Sequence, residues 1–143
     1  MRMVRNFENF INNGVVKKQS PDFSRAEFLE NESGKSFQFL RKIINDMGVN
    51  EENTNSIIKL CYDIIMELIR AKMLRKGFNS SGHGAHEAEV SFLRKLDFNE
   101  NEIQFADQLR YFRNGIIYYG KSFDAEYGKK VVEFLEKIHE RLK

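Results

Sequence analysis

Proline and cysteine occur once each in these 143 residues, and tryptophan is absent. A single cysteine excludes an internal disulfide. Cys61 falls within an apolar helical pattern and reads as a small buried hydrophobe. No stretch is long and apolar enough to span a bilayer. Met1 to Gly14 carries Arg2, Arg5 and Glu8 among its apolar residues, so it lacks the unbroken apolar stretch of a signal peptide. The expectation is a cytoplasmic protein with no membrane partner. Charge of one sign is also scarce. The formal net charge is +2, too small to argue for nucleic acid by itself. The sequence holds no Walker-type glycine loop, no cysteine cluster and no nucleophilic serine elbow. No internal repeat or low-complexity tract appears.

What is present is helical periodicity. With hydrophobic residues at 41% and charged residues at 31%, the composition is that of a globular chain, and its length suits one domain. The scarcity of β-branched alternation predicts helices throughout. Residues 1–22 read as a short amphipathic helix over 3–13, with Val4, Phe7 and Ile11 on one face, followed by a connector from Gly14 to Asp22. Residues 23–143 read as an all-α, up-and-down bundle, giving five to six helices in all. Asp22 or Ser24 caps a helix that buries Phe37, Leu40, Ile44 and Met47 and stops at Gly48. Gly34 marks a weak point or bend within it.

Thr54 or Asn55 opens the next helix, which ends near Gly77. Its two stripes, Ile57–Cys61–Ile64–Leu68–Ala71 and Ile58–Tyr62–Ile65–Ile69–Met73, predict the central helix of the bundle. Arg70, Lys72, Arg75 and Lys76 crowd its end, where positive charge suits the helix dipole. Ser80 or Ser81 is a cap candidate for a short helix over 85–96. A fifth helix starts after Asn99, with Phe105, Leu109, Phe112, Ile116 and Tyr119 as its core stripe. Arg113 falls on the flank of that stripe, and Arg110, Asn114, Ile117 and Tyr118 fall farther round. A face mixing guanidinium, amide and aromatic groups is costly to leave wet and suits a partner or a cleft. The last helix, 125–142, buries Tyr127, Val131, Phe134, Ile138 and Leu142, with His139 on its exposed side.

The order of these elements carries a resemblance. A long apolar helix ending Ala71-Lys72-Met73-Leu74-Arg75-Lys76-Gly77-Phe78 leads into Ser80-Ser81-Gly82-His83-Gly84-Ala85-His86-Glu87-Ala88. Then come a short helix, the run Leu109-Arg110-Tyr111-Phe112-Arg113-Asn114-Gly115-Ile116-Ile117-Tyr118-Tyr119-Gly120, and a closing amphipathic helix. Over roughly residues 23–142 this is similar to the HEPN superfamily of small prokaryotic helical proteins. The resemblance implies a homodimer with Arg-bearing helices meeting at a cleft, and a metal-independent ribonuclease toxin with no cofactor. It also implies a nucleotidyltransferase antitoxin as partner. The family motif is Arg, a polar residue, and a His after four to six intervening residues. Arg113 and Asn114 match, but Tyr118, Tyr119 and Gly120 stand where the His belongs.

That departure has a chemical meaning. Metal-free RNA cleavage needs one group to take the 2′-OH proton and one to protonate the leaving oxygen, and a pKa near neutrality serves best. Tyrosine titrates near ~10, so it donates hydrogen bonds but is a poor base. Losing such proton transfer costs about 10²–10⁴-fold. The expectation is therefore RNA or nucleotide binding by Arg110, Arg113, Asn114 and Tyr118, with little or no cleavage. Arg113, Asn114 and Tyr118 are the catalytic candidates if the protein is active. The alternative is a protein-interaction module using the same face for a nucleotidyltransferase or a second copy. On that reading Arg113 is an ordinary ion pair with a carboxylate of a neighbouring element, such as Asp107 or Glu102, and Asn114 a hydrogen bond to a neighbouring helix. His83, His86 and Glu87 have helical spacing for a metal, but two imidazoles between loosening glycines make a helix start the better reading. Either histidine could also stand in for the missing catalytic one.

Overall fold

The helix with two apolar stripes is the axis of the molecule. In a computed structural model describing residues 3–143, this segment is α3 (Thr54–Arg75), and both predicted stripes are buried along it except for the half-exposed Leu68. Around it come α1 (Phe7–Asn12), β1 (Val16–Lys18), α2 (Phe23–Met47), β2 (Phe78–Ser80), α4 (Ala85–Ser91), α5 (Glu100–Tyr119) and α6 (Ala125–Leu142). A 3₁₀ turn, Phe92–Leu96, follows α4. The architecture is an all-α bundle in which α2, α4, α5 and α6 all pack on α3. None of the described helices is long and apolar enough to cross a membrane. Met1 and Arg2, at the head of the 1–22 segment, lie outside the described residues.

Local sequence chemistry sets several helix ends. The Asp22 carboxylate accepts from the Arg25 amide at 3.0 Å, and α2 stops at Gly48 in a positive-φ conformation. Asn99 and Glu102 form a reciprocal capping box at the start of α5. Asp124 caps α6 through the Tyr127 amide. The Thr54 hydroxyl donates to the Asp124 carbonyl at 3.0 Å, joining the starts of α3 and α6. Here α6 comes so close that a Cβ on Gly128 would lie 2.3 Å from Thr54 Oγ1.

Some expectations need correction. The first helix begins at Phe7 rather than residue 3, although Val4 is still buried. The connector contains β1, which pairs antiparallel with β2, and the Gln19 amide continues the ladder to the Gly77 carbonyl. A Cβ on Gly77 would lie 2.4 Å from the Gln19 carbonyl oxygen, just past β1. Val4, Phe7, Phe10 and Val16 thereby join the main core. Gly34 sits within an unbroken α2. Met47 is exposed at the end of α2, and Tyr119 is 78% exposed rather than in the core. The physical reason is that the last turn of α5 outruns its partners. The chain reverses at Gly120, and Phe123 instead packs on Phe112 and Tyr127, at 5.2 and 5.3 Å between ring centroids. His139 is half-buried, its ring edge-on to Phe37 of α2.

Candidate functional site

Every side chain proposed for the site on α5 lies within its last three turns. At about 100° per residue, Arg110 and Asn114 share one face, and Arg113 points elsewhere. Arg110 and Asn114 line a groove of about 410 Å³ between the start of α4, the α1–β1 segment and α5. His83 and Tyr111 line the same groove. Among the described residues, the side chains of Arg110, Asn114 and His83 take part in no hydrogen bond or ion pair. A guanidinium, a carboxamide and an imidazole thus converge with their polar atoms uncommitted. Groove residues Arg5 and Glu87 are committed to each other. The Arg5 Nε and terminal nitrogen donate to the Glu87 carboxylate at 3.3 and 3.1 Å, and the Arg5 amide donates to it at 3.0 Å. This pairing raises the Arg5 pKa, chiefly through its hydrogen bond to Glu87.

Arg113 faces α3. Its guanidinium lies over the Tyr62 ring, 5.2 Å from the centroid. Its Nε is 3.9 Å from Asp63 Oδ1, too long for a hydrogen bond, and that buried nitrogen has no hydrogen-bond partner. The ion-pair reading therefore holds in kind, with Asp63 of α3 as the carboxylate in place of Asp107 or Glu102. Glu102 is held by Arg141 and Lys137, and Asp107 faces His86. Tyr118 is 70% exposed at the end of α5 and does not line the groove.

The two histidines part company. His83 is exposed in the groove, whereas His86 is enclosed between α3, α4 and α5. Its ring stacks on Tyr62, and Nδ1 lies 2.7 Å from the Tyr62 hydroxyl. On the other side, Nε2 is 3.9 Å from Asp107 Oδ1 and has no hydrogen-bond partner. With a carboxylate on that side the ring proton belongs on Nε2, so Nδ1 accepts from the tyrosine. Burial, reinforced by the positive charges of Arg110 and Arg70, pushes the His86 pKa down to about 3. Burial likewise raises that of Tyr62. Both groups are neutral at physiological pH. His86 is therefore a fixed neutral strut beneath Arg113, not a proton shuttle.

Other candidates resolve into structure. Ser80 does not cap α4, whose first turn begins at Gly84 without a side-chain cap. Its hydroxyl donates to Glu89 instead. The basic cluster at the end of α3 is partly neutralised, Arg70 by Glu89 and Arg75 by two bonds to Glu30. His83 and Glu87 both line the groove, Glu87 tied to Arg5, while His86 turns inward. Among the described residues no group of three His, Cys, Asp or Glu side chains could hold a metal ion. Burial pushes the Cys61 thiol up to about 12, which removes it as a nucleophile.

Sequence reasoning missed Tyr62 and Asp63 as neighbours of the site, and offered Asp107 as a partner for Arg113 where it faces His86. Tyr62 lay in a core stripe, and only the polar tip of an otherwise apolar row could have marked it. Compared with protein-family models, curated proteins and solved structures, the chain matches none.

Proposed function

We propose that this protein is a HEPN-like RNA- or nucleotide-binding bundle that holds phosphate in the α4–α5 groove and cleaves weakly or not at all. One observation carries the reading: Arg110, Asn114 and His83 converge on a groove with their polar groups uncommitted. An arginine fork suits a phosphate, and a carboxamide beside it adds a donor and an acceptor. Arg113, only loosely tied to Asp63, brings a second cation to the same helix end. Exposed Tyr111 and Tyr118 offer ring faces on which bases can stack. Slow chemistry follows from the inventory. His83 is the one imidazole in the groove, and a single group does not serve as both base and acid in the same step.

A second reading draws on the exposed Ile117, Tyr118 and Tyr119 at the end of α5. Such a patch also suits a homodimer interface or a nucleotidyltransferase partner, with no RNA chemistry.

One experiment separates these readings. Purified protein is incubated with labelled single-stranded RNA in EDTA, beside Arg110→Ala and Arg113→Ala. The first reading predicts binding that weakens with salt, falls in both variants and leaves the RNA largely intact. RNA left unbound by a dimeric protein would refute it in favour of the interaction module. Rapid cleavage abolished by His83→Ala would overturn the assignment of weak chemistry.

A further inference from the structure

A second cavity, of about 180 Å³, shares no residue with the groove. Arg25 of α2, Arg70 of α3, Asn79 and Ser80 of β2 and Glu89 of α4 supply its polar wall. Met73, Leu74 and Phe78 supply an apolar one. The Glu89 side chain is 6% exposed. Its Oε2 accepts from Arg70 Nε at 3.1 Å and from the Ser80 hydroxyl at 2.7 Å. Its Oε1 accepts from no group among the described residues. Arg70 spends only its Nε on Glu89, and the Arg25 guanidinium and Asn79 carboxamide have no partner among the described residues.

We propose that this cavity is a binding site for a free α-amino acid. Two guanidinium groups, one wholly uncommitted and one with its terminal nitrogens spare, match a carboxylate. Glu89 Oε1, which solvent can reach and no protein donor occupies, can accept from a charged N–H donor on a ligand. A simple anion would satisfy the arginines and leave Glu89 as it is, whereas an α-ammonium beside the carboxylate serves both ends. Asn79 adds an acceptor for the same ammonium. Drug-sized ligands occupy about 300–1,000 Å³, so the smaller space here suits a compound of a few heavy atoms. The short apolar wall suits an aliphatic side chain over a charged one.

The test is calorimetry and thermal unfolding of the full chain with each of the common L-amino acids. At least one small aliphatic amino acid is expected to bind saturably and raise the melting temperature. Acetylating its nitrogen or amidating its carboxyl should each weaken binding about tenfold or more, the signature of a lost ionic contact. Arg25 is exposed on the surface of α2, so Arg25→Ala should keep the wild-type circular dichroism spectrum and lose affinity by a similar factor. The proposal is overturned if no amino acid binds saturably. It is equally overturned if the N-acetyl compound or acetate binds as well as the amino acid, which would leave an anion site only.

Discussion

The two ends of α5 treat their charges in opposite ways. At its start, Glu102 accepts from the Asn99 amide and is paired with Arg141 and Lys137, while Glu100 receives two bonds from Arg94. Arg94 also ties down the N-terminal segment through the carbonyls of Val4 and Arg5. Each of these groups serves folding. Toward the other end, Arg110 and Asn114 are uncommitted, Arg113 reaches a carboxylate only at 3.9 Å, and Tyr118 and Tyr119 are exposed. Folding explains the first end and leaves the second unexplained. Polar and aromatic groups that the fold does not use are the ones free to hold something else.

The largest expected effect tests the packed layer between these ends. The His86 pKa lies at about 3 in the folded chain, against an ordinary value near ~6.5 when unfolded. The unfolded state therefore binds the proton first. The His86 contribution to stability is full above about pH 6.5 and is lost at up to about 1.4 kcal/mol for each pH unit as pH drops toward 3. The half-buried His139, also shifted down by burial, acts in the same direction. Urea titrations from pH 7 to pH 4 check this. His86→Gln should flatten the slope, and an unchanged slope would show that His86 is not the group responsible.

Next in size is Glu102→Ala. It removes the capping box and two cationic partners, and should cost about 2–3 kcal/mol in urea unfolding while leaving RNA affinity unchanged. The converse holds for Arg110→Ala, which should weaken RNA binding about tenfold and reduce the salt slope by about 0.7. Its melting temperature should stay within a degree or so, since surface changes away from special contacts are worth about 0.5 kcal/mol or less. Smallest is Tyr118→Ala, worth about 1 kcal/mol of RNA affinity through one lost stack and nothing in stability. A variant of the open end that unfolds the protein would erase the distinction.

What the sequence made legible was local. The two stripes of α3, the Asp22 cap, the Gly48 stop and the Asn99 start of α5 each depend on residues a few positions apart. The β1–β2 pair was not legible, because three-residue strands separated by some sixty positions leave no periodic trace. Tyr119 was misplaced because periodicity along α5 cannot reveal where its neighbours end. At the site, Arg110, Asn114, Ile117 and Tyr118 were expected on one surface, and of these Ile117 and Tyr118 do not line the groove while Arg110 and Asn114 do. That His83 joins them while His86 turns inward depends on how α4 sits against α3 and α5, a tertiary fact. The same packing sends Arg113 over Tyr62 rather than into the groove.

The three histidines sample three environments: the groove, the interior and the α6–α2 contact. They permit one direct test by heteronuclear NMR of the imidazole nitrogens during titration with single-stranded RNA. Phosphate held between Arg110 and Asn114 must move the His83 resonances saturably while those of His86 and His139 stay in place. Stationary His83 signals in the presence of bound RNA would place the nucleic acid elsewhere and contradict the groove as its seat.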